Sequence, residues 1–350
     1  MLTENFTKAD IVARYLPEKL IATDQAEAFA PSNIALCKYW GKRQNELNLP
    51  VNSSLSISLA HLGTRTHIRP SQTGADQVVL NGQLLPVESS FACKVISFVD
   101  LFRRDQSYPL IVDTRNNIPT AAGLASSASG FAALTLALNQ YFHLQLPDAV
   151  LSAFARMGSG SASRSIYTGF VEWRMGQQED GMDSHAHPLG AVWPDLRVGL
   201  VKVSTAVKAV DSRSGMKRTV ETASLYQSWP AQAAQDLEKI HQALNDGSFS
   251  QLGAVAEHNA MSMHATMIAS WPPLLYWQPD SVAAMQKIWA LREAGVEVYF
   301  TMDAGPNLKL LFQEKNQALL ETEFPGLEVV APFVESESSG ASVTTLKEPL

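Results

Sequence analysis

The stretch that most limits what this chain can fold into is IPTAAGLASSASGFAAL, residues 118–134, where small side chains leave the backbone almost bare. LIVDTR precedes it and reads as a buried strand; FAALTLALNQYF continues it with the periodicity of a helix. A strand that turns through a Gly/Ala/Ser loop into a helix presents unpaired N–H groups at the helix start, where the helix dipole also favours negative charge. Side chains this small let phosphate oxygens approach. The loop lacks the Gly-Lys-Ser/Thr of a Walker A motif, so that reading fails. A close-packed strand–helix corner is the plainer alternative. Ser126, Ser127 and Ser129 weigh against it, because three hydroxyls exceed what a helix cap needs, and they predict one hydroxyl facing a phosphate or its metal.

A chain of 350 residues, 46% hydrophobic and 17% charged, suggests about two domains at roughly 150 residues each. No apolar run approaches the ~20 residues of a spanning helix, and the first residues lack a secretory hydrophobic stretch, so a soluble cytoplasmic protein without a membrane partner is expected. Cys37 and Cys93 make no disulfide framework, and the absence of CxxC and HExxH patterns argues against structural zinc. A net charge of −7 argues against a nucleic-acid partner, which needs a concentrated basic surface. It leaves room for a small anion held by cations inside a cleft.

Organisation follows from periodicity. Residues 1–20 predict an amphipathic helix with Ile11, Val12 and Leu16 on one face. SLSISLAHL and TRTHIRP alternate as strands, and QVVLNGQLLPV places Asn81-Gly82 between apolar runs, a hairpin signal. Residues 91–104 predict a helix. The polar, Gly-rich connector QQEDGMDSHAHPLG precedes the strand LRVGLVKVS, which puts a domain boundary near residue 190. A long helical region over Thr219 to about Asn245, two further helices over 250–268 and Ser281–Ala294, a strand–loop–strand in EVYFTMDAGPNLKLLFQ and a Ser/Glu-rich tail complete the chain.

Four further segments could carry chemistry. In APSNIALCKYWGKRQNELNLPVNSSLSISL, residues 30–59, Lys38, Lys42 and Arg43 have Glu46 as their only nearby acid in sequence; a solvated charge run is the bland reading, an anion pocket the functional one. In GSGSASRS, a helix starting near Ser161 puts Ser161 and Arg164 on one face with Ser159 just before it, and Arg164 is either an ordinary surface arginine or a planar fork for a carboxylate or phosphate. SRSGM pairs Ser212 with Arg213. In TMDAGPNLKLL, Asp303 stands where a strand meets a turn, either as an ordinary turn residue or, if cations surround it, as a carboxylate held ionised.

Together these segments carry a resemblance. PTAAGLASSASG resembles the phosphate loop of the GHMP kinase superfamily. Within it, NIALCKYWGKRQNELNLPVNSSLSISL, GSGSASRS, SRSGM, MHATM with Pro272-Pro273 soon after, and MDAGPN are similar, in the same order, to diphosphomevalonate decarboxylases, from about Ala30 to Phe333. The resemblance implies an α+β GHMP-kinase fold with a ribosomal-protein-S5-like N-terminal domain, a ferredoxin-like C-terminal domain and a cleft between them. It divides the chain into an extension (1–29), an ATP- and substrate-binding domain (30–192), a C-terminal domain (193–335) and a tail (336–350).

It also implies ATP-dependent decarboxylation of (R)-5-diphosphomevalonate to isopentenyl diphosphate, a step of isoprenoid biosynthesis, by a homodimer using ATP and Mg²⁺. By family position, Asp303 is the catalytic carboxylate, Arg164 forks onto the substrate carboxylate, and Lys38 stabilises charge between Asp303 and the phosphates. Tyr39, Lys42, Ser159, Ser161, Ser212 and Arg213 would hold the substrate's diphosphate and flank. Asn116, Pro119, Ala122, Gly123, Leu124, Ala125, Ser126, Ser127 and Ser129 would border or cradle the nucleotide, with Ser126 or Ser127 beside the metal. Ser163 replaces a cysteine found in many relatives. Phosphomevalonate decarboxylase or mevalonate 3-kinase chemistry on the same scaffold, and a non-catalytic nucleotide-binding relative, are the alternatives; Tyr39, Lys42, Ser212 and Arg213 favour the diphosphate, since a smaller anion leaves these cations under-compensated.

Overall fold

A computed structural model describes residues 6–118, 126–204 and 209–334. In chain order the elements are α1 (Lys8–Ala13), β1 (Ala26–Cys37), β2 (Lys42–Gln44), β3 (Leu49–Pro50), β4 (Ser54–Pro70), β5 (Gln77–Leu80), β6 (Gln83–Leu84), α2 (Ser90–Arg103), β7 (Leu110–Asn116), α3 (Ser126–Tyr141), α4 (Asp148–Gly158), a 3₁₀ helix (Gly160–Ile166), β8 (Phe170–Trp173) and β9 (Ala186–Pro188). They continue with β10 (Leu196–Val201), α5 (Ser212–Thr222), α6 (Trp229–Asn245), α7 (Phe249–Ile268), α8 (Pro279–Glu293), β11 (Val298–Met302), β12 (Leu308–Gln313), α9 (Gln317–Glu323) and β13 (Glu328–Val330).

The first sheet runs β6-β5-β7-β4-β8-β9, with β1 also paired to β4. β4 is its spine: one end pairs with β8 and the other with β7, and β1 follows it antiparallel from Ala26↔Ile68 to Cys37↔Leu55. The two strands approach so closely at Gly63 that a Cβ there would stand 2.1 Å from the Ala30 carbonyl oxygen, so only glycine fits. The expected hairpin forms, with Asn81 (φ 51°) and Gly82 (φ 82°) both left-handed as its two-residue turn requires. The second sheet is β11-β12-β10-β13, antiparallel throughout.

One apolar core joins the sheets. Ile34, Leu36, Leu55 and Ile57 of the first sheet pack with Trp229, Ile240, Leu252, Tyr299 and Leu311 from the second sheet and its helices. The ends of β1 and β11 are thereby fixed against each other, which is what builds the site. Among the described residues, no helix is long and apolar enough to cross a membrane.

Two expected helices are shorter than their periodicity suggested. The N-terminal helix is only Lys8–Ala13, started by a Thr7/Asp10 capping box and ended ahead of Pro17, whose ring disfavours helical geometry in the residue before it. The region after Thr219 is not one helix. α5 begins earlier, at Ser212, and ends at Thr222; a 3₁₀ turn intervenes, and α6 restarts at Trp229 with Pro230 in its first turn, the one place where a missing N–H costs nothing.

Candidate active site

Asp303 follows β11 directly, where apolar Val298–Met302 are fully buried and the backbone turns through Ala304-Gly305-Pro306-Asn307 into β12. Its Oδ1 accepts from Lys38 Nζ at 2.9 Å, and its Oδ2 pairs with Lys309 Nζ at 3.2 Å. The carboxylate keeps 31% of its surface open, whereas both lysine side chains are only 2% exposed. Burial works against the carboxylate charge, but Lys38 and then Lys309 outweigh it and hold Asp303 well below the usual carboxylate range. His264 Nε2, on α7, lies 3.1 Å from the Asp303 carbonyl oxygen. Burial pushes this imidazole down to about 4, so it is neutral and donates from Nε2.

Lys38 is locked in place through its own backbone. Its N–H donates to Asn259 Oδ1 (2.7 Å), its carbonyl accepts from Asn52 Nδ2 (2.9 Å), and Asn259 Nδ2 donates in turn to the buried Asp236 carboxylate (2.8 Å). Its ammonium also donates to the Ala35 carbonyl at 2.8 Å. The lysine therefore reaches Asp303 with little freedom, because strand end, helix α7 and the loop after β3 all position it.

Arg164 is 3% exposed, and its guanidinium donates to Ser54 Oγ and to Asn33 Oδ1 (3.3 Å) beneath the Trp173 ring. Among the described residues it has no ion pair. Burial lowers it to about 10 while Asp303 supports its charge, so it remains a cation. The expected helix around it is a 3₁₀ helix, Gly160–Ile166, in which residues three apart eclipse; Ser161 and Arg164 share a face more closely than an α-helix would allow. Two lysines thus pair with one carboxylate and Arg164 lies within its electrostatic reach, leaving a net positive cleft suited to an anionic ligand.

Beside it, Tyr39 rests edge-on against Trp173 (4.8 Å between centroids) and over Gly160, where a Cβ would come within 2.8 Å of its ring. Its hydroxyl is buried with no hydrogen-bond partner, an orphan donor of the kind a ligand satisfies. Burial raises its pKa, so it stays a neutral phenol. Lys42 Nζ donates to Asn48 Oδ1 at 2.6 Å and is pushed down to about 8 by burial and then by Arg213 and Lys8. Ser212 and Arg213 are exposed on the first turn of α5, capped by Asp211. Ser159 Oγ lies 3.3 Å from Ser127 Oγ, so the serines expected for substrate and nucleotide are neighbours.

Pro119, Ala122, Gly123, Leu124 and Ala125 lie outside the described residues. Ser126 and Ser127 are exposed on the first turn of α3, which carries no acid. A phosphate and its Mg²⁺ would suit such a helix start, where the exposed Ser126 and Ser127 hydroxyls and the dipole favour an anion. Ser129 is fully buried and its hydroxyl is engaged with Thr64 (2.7 Å) and Ser32 (3.1 Å), bracing the helix against β1 and β4. Asn116, at the end of β7, accepts from Thr64 Oγ1 (2.5 Å) in the same network.

Sequence reasoning missed Lys309, His264, Asn259 and Asp236. For Lys309 a signal existed: it is the one charge in the apolar strand LKLLF, two positions after the Asp303 turn, and a strand buried on both faces has no place for a lysine without a partner.

Residues 30–186 match the diphosphomevalonate decarboxylase-like N-terminal domain, and residues 199–345 match the mevalonate 5-diphosphate decarboxylase C-terminal domain. The chain belongs to the diphosphomevalonate decarboxylase family. A diphosphomevalonate decarboxylase of Gibberella zeae is 37% identical over 93% of this chain and 92% of its own, and that of Candida albicans is 38% identical over 83% and 85%. Among solved structures, mevalonate diphosphate decarboxylase from Staphylococcus aureus is 39% identical (TM-score 0.82, covering 88% of this chain and 95% of that one). MDDEF in complex with MVAPP, AMPPCP and magnesium is 41% identical (TM-score 0.81, covering 89% and 98%). The fold is the α+β GHMP-kinase fold of diphosphomevalonate decarboxylases.

Proposed function

We infer that Asp303, Lys38, Lys309 and Arg164 carry out the family's reaction, ATP-dependent decarboxylation of (R)-5-diphosphomevalonate to isopentenyl diphosphate with release of ADP, phosphate and carbon dioxide. The observation that carries this assignment is the Asp303 carboxylate held between two buried lysines and facing the cleft. A tertiary hydroxide is a poor leaving group; ATP, with Mg²⁺, supplies the phosphoryl group that makes the 3-oxygen a good one.

Asp303 accepts a hydrogen bond from the 3-hydroxyl and aims its oxygen at the γ-phosphate. Because two lysines depress it, it is a weak base, so its part is orientation: as the new P–O bond to the 3-oxygen forms, the bond from the γ-phosphorus to ADP breaks and the hydroxyl proton passes by way of the carboxylate to solvent. Lys38 balances the charge that collects between Asp303 and the phosphates. Arg164 grips the substrate carboxylate and holds the C–C bond in place as phosphate departs, positive charge develops at C3 and carbon dioxide leaves. Tyr39, Lys42, Ser159, Ser161, Ser212 and Arg213 hold the diphosphate end; the described part of the nucleotide loop, Ser126 and Ser127, meets the ATP phosphates and the metal from the side of α3.

The reading also includes a cytoplasmic homodimer without nucleic-acid or membrane partners; the acidic net charge of −7 supports the first of these exclusions. The test is to offer ATP, Mg²⁺ and mevalonate, its 5-phosphate or its 5-diphosphate while following ADP and carbon dioxide together. Equal amounts of both from the diphosphate alone are expected; ADP without carbon dioxide would make the protein a 3-kinase, and turnover of only the monophosphate would overturn the diphosphate assignment.

A further inference from the structure

The family match begins at residue 30, and nothing before it has a place in the reaction described above. Yet residues 6–24 are firmly attached. Ile11 and Val12 are buried with Phe98, Phe102 and Phe154, Tyr15 packs edge-on against Phe154, and Arg14 pairs with Asp180 at 3.6 Å. Leu20 N–H donates to Gln106 Oε1 at 2.9 Å and its carbonyl accepts from Tyr108 Oη at 2.8 Å. A segment held at so many points places its first helical residue reproducibly.

That residue is Lys8. Its backbone N–H meets Glu46 Oε1 at 3.3 Å, which sets α1 against the turn between β2 and β3, the turn that also carries Asn48, the hydrogen-bond partner of Lys42. Lys8 is half-buried there and lies within electrostatic reach of both Lys42 and Arg213. Three cations from three separate segments, the extension, β2 and α5, therefore converge. Among the described residues none of the three has an ion pair within 4.0 Å. Glu46 accepts the Lys8 backbone N–H and supports the Lys8 charge without an ion pair to its ammonium, and Asp211 accepts from the N–H groups of Arg213 and Ser214 and from the Ser214 hydroxyl. Clustered cations without ion pairs repel one another, as the Lys8 and Lys42 ammoniums, lowered by burial first and then by their cationic neighbours, show, and a multiply charged anion that joins them relieves that repulsion.

We propose that Lys8, supplied by the N-terminal extension, is a third cationic ligand of the substrate's diphosphate beside Lys42 and Arg213, so that the extension forms part of the substrate pocket. The inference rests on the assignment of Lys42 and Arg213 to the diphosphate. It accounts for why a helix of only six residues, too short to be stable alone, is capped and pinned at this edge of the cleft.

Lys8→Met keeps the aliphatic stem and the helix while deleting the charge. The expected result is a rise of about tenfold in KM for the diphosphate, the scale of one charge-assisted contact at a partly exposed site, with KM for ATP unchanged. Lys8→Arg should restore the affinity. Inorganic diphosphate, titrated calorimetrically against the full-length protein, should bind Lys8→Met about tenfold more weakly than wild type, a readout independent of turnover. Lys42→Met serves as the control. If Lys42→Met weakens the diphosphate and Lys8→Met does not, the role of Lys8 is overturned and the pocket stands; if neither variant changes it, the pocket assignment itself falls. An equal loss in Lys8→Met and Lys8→Arg, with a lowered melting temperature in both, would also overturn the proposal by making Lys8 structural.

Discussion

Lys309 Nζ and Lys38 Nζ take opposite oxygens of the Asp303 carboxylate, at 3.2 Å and 2.9 Å, one lysine reaching from β12 of the second sheet and the other from the end of β1 in the first. The carboxylate is thus clamped between the two halves of the molecule. Removing either lysine leaves an incompletely compensated charge in the cleft. Lys309→Met should lower kcat about 10–100-fold, the value of one hydrogen bond to a charged group. It should also raise the Asp303 pKa, so the acidic limb of the kcat profile moves to higher pH. A pH–rate profile checks the direction: a limb that stays in place would show that Lys309 does not act on Asp303.

Arg164 separates charge from shape. Its planar fork is fixed by Ser54 and Asn33, and lysine cannot reproduce two parallel N–H donors. Arg164→Lys should therefore lose about 100-fold or more in kcat/KM despite retaining positive charge. Steady-state kinetics with varied diphosphate decide it, and near-wild-type turnover in the lysine variant would remove the forked contact from the account.

Lys42 sets a pH dependence. Burial, then Arg213 and Lys8, hold its ammonium down at about 8 in the free protein. Only the protonated form attracts a diphosphate, and a bound anion draws the group back up. KM for the diphosphate should stay level below that pH and rise above it, while Lys42→Arg, charged throughout, should abolish the rise. Measuring KM across this range with wild type and the arginine variant gives the sign directly.

The Asn259 amide bridges the Lys38 backbone to Asp236. Asn259→Ala deprives the buried Lys38 N–H and the Asp236 carboxylate of a partner, which should cost about 1–3 kcal/mol of stability. Because Lys38 is then less well placed, kcat should fall as well. Chemical denaturation and kinetics on one preparation test both parts; unchanged stability would mean that the network does not hold the lysine.

How much of this was legible follows from where each residue lies in the chain. Asp303 and Arg164 sit inside compact local motifs that mark them as candidates, but those neighbours alone leave Asp303 a turn residue or an ionised carboxylate and Arg164 a surface side chain or a fork; the family resemblance assigns their roles. The Asn81-Gly82 hairpin was readable from a few neighbours alone. Lys309 left a trace, a lone charge in an apolar strand, but its partner is set by how the turn after β11 folds back, which no local period encodes. His264, Asn259 and Asp236 act from two helices packed across the molecule, and their side chains look ordinary within α6 and α7. Helix lengths misled ahead of Pro17 and at the 3₁₀ turn before α6, where the apolar periodicity continued past the break in the backbone.

The most direct measurement is turnover by Asp303→Asn, which keeps the size of the side chain and removes its charge, with ADP and carbon dioxide followed together and substrate binding measured separately. The account predicts a loss of about 1,000-fold or more in both products with diphosphate binding within a few-fold of wild type, since positioning and charge at the reacting oxygen are what the carboxylate supplies. Turnover at the wild-type rate would contradict it.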